Sequence, residues 1–373
     1  MATHVEHLAI PIGSCKKLIR SMTTSSRYFA RFVLGLMLLS AQAVGQTVTP
    51  LHSGVTASFR GISVVSDSEV WISGSEGTVI HSTDSGNTFT KITVPNSDEL
   101  DFRDIEVLPD GSILLMSIGN AESSKLLRSS DGGTTWQVVL QNHDQESFFD
   151  GMTFHPDGKQ GAMFGDPIRG LMDVYLTDDG GITWNRLPDS HRPKLRPSEV
   201  GFAASGTGIN WTDAGLQIAT GGSVARIHRT TSKGKWWEQI ETTMLQGRSS
   251  AGIFSIAVQD QQIVIVGGDY LQPDEKGFNV AISQNGGRNI RVPANNNLGH
   301  KACVRFVSQS NVVTCGRTGI DISNDSGSTW EHLTDDAYYT LDAKFNSTVA
   351  YLAGPKGQVG RLTMPKPSES HKE

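Results

Sequence analysis

The residue types in this chain best suited to chemistry are arginines and acids, spread widely along 373 residues. Arg60, Arg103 and Arg317 could clamp a carboxylate, Tyr270 could act as a nucleophile activated by Glu199, and Asp104 could supply a proton. Together they would suit cleavage of a glycoside bearing an acidic group, because guanidinium groups pair with carboxylates and glycoside cleavage needs an acid and a nucleophile flanking the bond. Asp150, Asp166 and Asp269 could join the same cluster. The competing uses of these side chains are ligand recognition without chemistry, or salt bridges that tie neighbouring elements together. Metal and cofactor chemistry has no comparable support. Beyond residue 43 only Cys303 and Cys315 remain, with no C-x-x-C pair and no His/Cys cluster at ligand spacing, so neither a metal nor a cofactor is expected.

Most of these candidates lie tens of residues apart, so only a fold that returns the chain to one place at a regular interval could assemble them. Such an interval is present. Ser82 to Phe89 (STDSGNTF) recurs as Ser129 to Trp136, Thr177 to Trp184 and Ser323 to Trp330, following the pattern SxDxGxTW. Two worn copies start at Thr230 and Ser283, with Ser232 and Asn285 at the Asp position. The starts at 82, 129, 177, 230, 283 and 323 lie within the 20–50-residue spacing of repeat architectures or just above it. Each position has a mechanical role. Asp84, Asp131, Asp179 and Asp325 can accept backbone N–H groups across their own turns, Gly86, Gly133, Gly181 and Gly327 supply positive φ, and the aromatic, as in Trp136, Trp184 and Trp330, opens the next strand. One Asp per turn is too few oxygen ligands for a calcium loop, so the motif reads as a hairpin staple.

Four strands surround each staple. The first set is Phe59 to Val65, Glu69 to Gly74, Thr78 to Ser82 and Thr88 to Val94, and later sets begin near Phe102, Phe149, Val200, Ile253 and Ala302. Such sheets cannot bury both faces alone and stack radially into a propeller. Tyr339 to Met364 offers three strands without a staple, while Thr47 to His52 is a spare strand at the other end. The expectation is an all-β, seven-bladed propeller with four-stranded antiparallel blades over residues 44–364, its last blade closed by the N-terminal strand.

SxDxGxTW is the Asp box, or neuraminidase repeat, which sialidases and several other propellers share. The run Val70 to Gly86 (VWISGSEGTVIHSTDSG) resembles the blades of the photosystem II stability/assembly-factor family, and the resemblance extends over nearly the whole chain beyond the leader. It implies an exported, non-catalytic scaffold or assembly factor with a protein or peptide partner. No arginine cluster is confined to one blade, so binding to a photosystem subunit is not carried over. The alternative is a sialidase-like glycoside hydrolase using the Arg, Tyr, Asp and Glu cluster. Phe59-Arg60-Gly61-Ile62 lacks the Arg-Ile-Pro sequence that sialidases carry near their first blade.

Composition fits an exported β protein. Forty residues are glycine and 19% are charged, and no apolar run reaches the ~18 residues of a membrane span. Arg27 and Arg31 precede the apolar stretch Phe32 to Leu39 and the small-residue sequence Ala41-Gln42-Ala43, the layout of a secretory signal peptide. Residues 1–43 are thus a leader, with Met22 as a candidate true start, and periplasmic or extracellular localisation is expected. Their removal takes five cations and one anion from a chain of net charge −6, leaving −10. An acidic chain without basic runs suits neither nucleic acid nor anionic lipid, and a monomer is expected.

The loops leading into the innermost strands and those joining second to third strands share one face, where the candidates converge on the channel mouth. Pro188 to Ser198 adds Arg192, Lys194 and Arg196 on that side, and Leu271 to Gly277 is a second long loop there. Trp236-Trp237 reads as staple plus blade packing rather than as a sugar platform. The tail 365–373 is polar and reads as frayed. Cys303 and Cys315 fall on the first two strands of the sixth blade, where a three-residue loop would place them opposite each other and permit a disulfide. Counting thiols in the denatured, unreduced protein tests this: a bonded pair leaves none reactive, and two reactive thiols exclude the bond.

Overall fold

The computed structural model describes residues 46–365. The leader and signal peptide, with the start at Met22, and residues 366–373 of the tail lie outside the described residues.

Seven antiparallel sheets follow one another along the chain and form a seven-bladed propeller, as the repeats predict. The first blade comprises Phe59–Ser66, Glu69–Gly74, Val79–Ser82 and Thr90–Ile92. The last contains Thr340–Asp342, Val349–Ala353 and Gln358–Thr363, and its outer strand is Thr47–His52, in register from Thr47↔Thr363 to His52↔Gln358. Among the described residues the only helical turns are three short 3₁₀ segments, and no helix is long and apolar enough to cross a membrane. Apolar side chains fill the spaces between successive blades. Trp71 and Val79 of the first, for instance, pack with Phe102 and Leu115 of the second.

The staples have the geometry their residues require. In the second copy Asp131 accepts the Thr135 N–H at 2.8 Å and its hydroxyl at 2.6 Å, while Ser129 donates to the carboxylate and accepts the Gly133 N–H. These bonds, the Thr135 hydroxyl first, hold the Asp131 carboxyl down at about 2. In the worn copies Ser232 and Asn285 accept the equivalent N–H groups, of Trp236 at 3.1 Å and Asn289 at 3.0 Å. The staple-plus-packing reading of Trp236-Trp237 holds for the second tryptophan and not for the first. Trp237 packs in the blade interior and donates to the His191 carbonyl, whereas Trp236 occupies the Thr position of the motif and is 55% exposed.

The fourth and fifth blades depart from the regular plan. The innermost strand near Val200 is broken into Glu199–Val200 and Ile209–Thr212, with residues 201–208 leaving the sheet. The fifth blade has only Ala251–Gln259, Gln262–Asp269 and Val280–Ser283, its fourth strand reduced to the bridge Ile282↔Arg291. It is also linked to the fourth through Gly221↔Gly252. In the sixth blade the register sets Cys303 directly opposite Cys315, and both are buried free thiols here.

Innermost strands bulge at Phe59/Gly61, Phe102/Asp104, Phe149/Gly151 and Ile253/Ser255. A bulge sets one unpaired residue apart from the ladder, here Arg60, Arg103, Asp150 and Phe254. Nearby N–H groups bond across to the preceding blade. Val64 donates to Asp342, Val107 to Ser63, Met152 to Asp104 and Val304 to Ser255, at 2.8–3.1 Å.

Gly206, in the 201–208 segment, has φ +73°, and a Cβ there would lie 2.4 Å from the Asp104 carboxyl carbon. Gly206→Ala should therefore cost about 2–4 kcal/mol of stability. Gly111→Ala, at φ +84° with open space around it, should cost only about 1 kcal/mol. Denaturant titration distinguishes them, and equal losses would contradict the close approach to Asp104.

Candidate functional site at the channel mouth

Residues 201–208 cross the channel and form its floor. The Ala203 carbonyl accepts Arg103 Nη1 at 2.8 Å and the Ala204 carbonyl accepts Arg60 Nη1 at 3.2 Å. Ser205 donates to the Ala302 carbonyl at 2.7 Å, and the Thr207 hydroxyl meets the Ser255 hydroxyl at 2.6 Å. One segment of the fourth blade is thus bonded to the first, second, fifth and sixth.

Above this floor is a cavity of about 350 Å³. One wall is aromatic: Phe202 and Phe254 stack at 4.1 Å with rings 10° apart, and Tyr270 and His300 present edge-on contacts to Phe254 at 6.3 and 4.7 Å. Three arginines share the lining. Arg60 lies over the Tyr339 ring at 3.9 Å, Arg103 pairs with Asp101 at 2.8 Å, and Arg317 has no hydrogen-bond or salt-bridge partner among the described residues. Asp150 and Asp166 complete the lining.

Burial sets the charge states. It lowers Arg60 to about 10, helped by neighbouring Arg103, which leaves the guanidinium charged at neutral pH. Burial, then Arg317, Lys301 and Arg60, push His300 down to about 3, so its ring is neutral, and both ring nitrogens lack partners. On the acidic side burial and the Asp166 charge push Asp150 well up, and burial raises Asp166 to about 6 against the Gly201 N–H at 3.3 Å. The cavity therefore sets cations and unpaired polar atoms against an apolar wall and a carboxyl pair that resists full ionisation.

Six candidates from the sequence meet here: Arg60, Arg103, Asp150, Asp166, Tyr270 and Arg317. The others are elsewhere. Glu199 is fully buried and accepts Arg226, His228 and Thr220, partners that hold it at about 2 although burial alone would raise it. Asp104 serves the Met152 N–H, and Asp269 binds Arg248 and the Leu271 N–H. Neither Glu199 nor Asp104 borders the cavity, so the nucleophile, base and acid of a glycosidase are not brought together. Arg192 is sealed inside its loop, donating to the Leu171 and Met172 carbonyls and to Asp189. Lys194 is exposed, and Arg196 pairs with Glu241 at 2.7 Å. Three lining aromatics escape sequence reasoning: Phe202, Phe254 and Tyr339. Alignment of Ile253-Phe254-Ser255 with Phe59-Arg60-Gly61 is the signal that finds Phe254.

Asp166 carries a sign-definite pH effect. Its folded value lies above the unfolded one, so the folded state holds the proton more tightly and stability falls as pH rises between about 4 and 6. Asp166→Asn should remove about 2–3 kcal/mol of that decline. Denaturation midpoints measured from pH 4 to 8 check this, and parallel profiles for the two proteins would refute it.

No protein-family model and no curated protein match the sequence. Among solved structures the chain is similar to that of YCF48 bound to D1 peptide, with TM-score 0.59 and 15% identity over 85% of this chain and 95% of that one. It is equally similar to YCF48 from Cyanidioschyzon merolae, with the same score and identity, over 85% of this chain and 98% of that one. At such identity the likeness is one of fold, a seven-bladed propeller.

Proposed function

We propose that this chain is an exported, non-catalytic propeller scaffold that binds a protein or peptide partner at the channel mouth, in the manner of an assembly or stability factor. The observation that carries the reading is the cavity itself. The buried His300 nitrogens and the buried Arg60 Nε have no partners within the described residues, the exposed Arg317 lines the same space without one, and the stacked Phe202–Phe254 pair adds an apolar wall. Unpaired buried polar atoms cost stability, which a ligand's carbonyls or carboxylates would recover, while the aromatics accept apolar side chains. The size suits one or two side chains of an extended segment rather than a whole folded surface. That the similar YCF48 structure contains D1 peptide supports use of this fold for peptides.

Screening immobilised peptide libraries, together with affinity capture from a native envelope fraction, tests the proposal. Phe254→Ala, at a buried aromatic anchor, should weaken capture about 10–100-fold, and Arg317→Ala, at an exposed cation of the same lining, about 3–10-fold. Arg196→Ala, outside the cavity, should leave it unchanged. Equal capture by all variants would remove the cavity from the function, and turnover of sialosides abolished by Arg60→Ala and Tyr270→Phe would make the protein a glycosidase instead.

A further inference from the structure

We propose a second binding site on the opposite face: a saccharide site in the cleft between the fourth and fifth blades, with Trp236 as its stacking platform. The site does not depend on the channel mouth. Antiparallel strands place the staples and the first hairpin of each blade at one end of the sheets and the mouth at the other. The cleft lies among staple and hairpin residues, and its volume of about 250 Å³ has room for roughly one or two pyranose rings.

Two observations point to a ligand. The first is Trp236. Intact staples carry Thr88, Thr135, Thr183 or Thr329 at this position, where the hydroxyl donates to the Asp carboxylate. With Ser232 in place of that Asp, the chain has a large indole on the surface where the fold calls for a small hydroxyl. Trp136, Trp184 and Trp330 donate their indole N–H to their own staple glycine, and Trp237 donates to His191. Trp236 has no such acceptor among the described residues. The second is Gln217, which borders the cleft, is 1% exposed, and has an Oε1 without a partner. A buried amide oxygen left unbonded is destabilising, and a ligand hydroxyl reaching it would relieve that cost.

The chemistry favours a neutral polyol. Arg229 is neutralised by Glu238 at 3.0 Å, and the remaining lining charges, Arg288 and Asp260, have opposite signs. No net charge therefore selects an anion or a cation. A peptide adding as a strand would need a free backbone edge, but at the staple the Gly286 N–H is bonded to the Gln261 carbonyl and the Gly286 carbonyl accepts Arg229. A pyranose instead offers an apolar C–H face to the indole and hydroxyls that both donate and accept toward Gln217, Asn285 and Glu238.

The test titrates the full chain with glucose, galactose, mannose, N-acetylglucosamine and their β-1,4-linked dimers, followed by saturation-transfer NMR and tryptophan fluorescence. At least one sugar should bind saturably. Trp236→Thr restores the repeat's own residue, so it should fold with an unchanged melting midpoint and yet weaken binding about tenfold or more. Trp236→Phe should retain part of the affinity, and Arg317→Ala, on the other face, all of it. Absence of saturable binding by every sugar, or undiminished binding by Trp236→Thr, overturns the proposal and leaves the channel-mouth reading unaffected.

Discussion

A backbone N–H buried in a channel wall must find an acceptor, and in this ring it finds one on the neighbouring blade. Asp342, Ser63, Asp104 and Ser255 each take an N–H from the following innermost strand. The bulges that interrupt the ladders also set Arg60, Arg103, Asp150 and Phe254 apart, so the same irregularity joins blades and furnishes the mouth. Residues 201–208 extend this principle by leaving their own sheet and offering carbonyls to the arginines opposite. Without that floor, Arg60 and Arg103 would lose the acceptors that hold them at the cavity wall.

Polar residues that look alike in the sequence therefore divide by depth. Beneath the floor, charge is structural: burial raises Asp104 to about 7, and burial together with Asp104 raises Glu106 to about 8, while Arg305 faces Asp342 at 3.5 Å. Glu199 with Arg226 and His228 likewise forms an internal ion network, costly to break, in which only the buried His228 Nδ1 is left unbonded. Above the floor the buried His300 nitrogens and Arg60 Nε remain unpaired, and the exposed Arg317 lies open to a ligand. Access from the channel mouth, rather than residue type, separates the candidate site from the scaffold.

This division explains what the sequence discloses. The staples are legible because Asp131 or Asp179 acts within its own turn, and a local interaction leaves a local pattern. Closure by Thr47–His52 is legible because three strands without a partner require a fourth. The floor is not: Gly201-Phe202-Ala203-Ala204-Ser205-Gly206 could continue a strand, and only the acceptors needed by Arg60 and Arg103 across the channel show why it departs. Arg192 is a similar case, since its burial depends on the carbonyls of Leu171 and Met172 lying beneath it. The separate fates of Trp236 and Trp237 are readable once the copies are aligned, because only Trp237 occupies the aromatic position.

The pairing of Thr47–His52 with Gln358–Thr363 joins segments some three hundred residues apart. A chain emerging from its amino end therefore has an open ring until its last strand has been made. During that interval the unpaired edges of the first and last blades stand available to other chains, and the long loop must close before its contacts repay the entropy. Slow, late sealing is the kinetic counterpart of the closed ring. Cleavage in the terminal strand would reopen it and restore those edges long after synthesis.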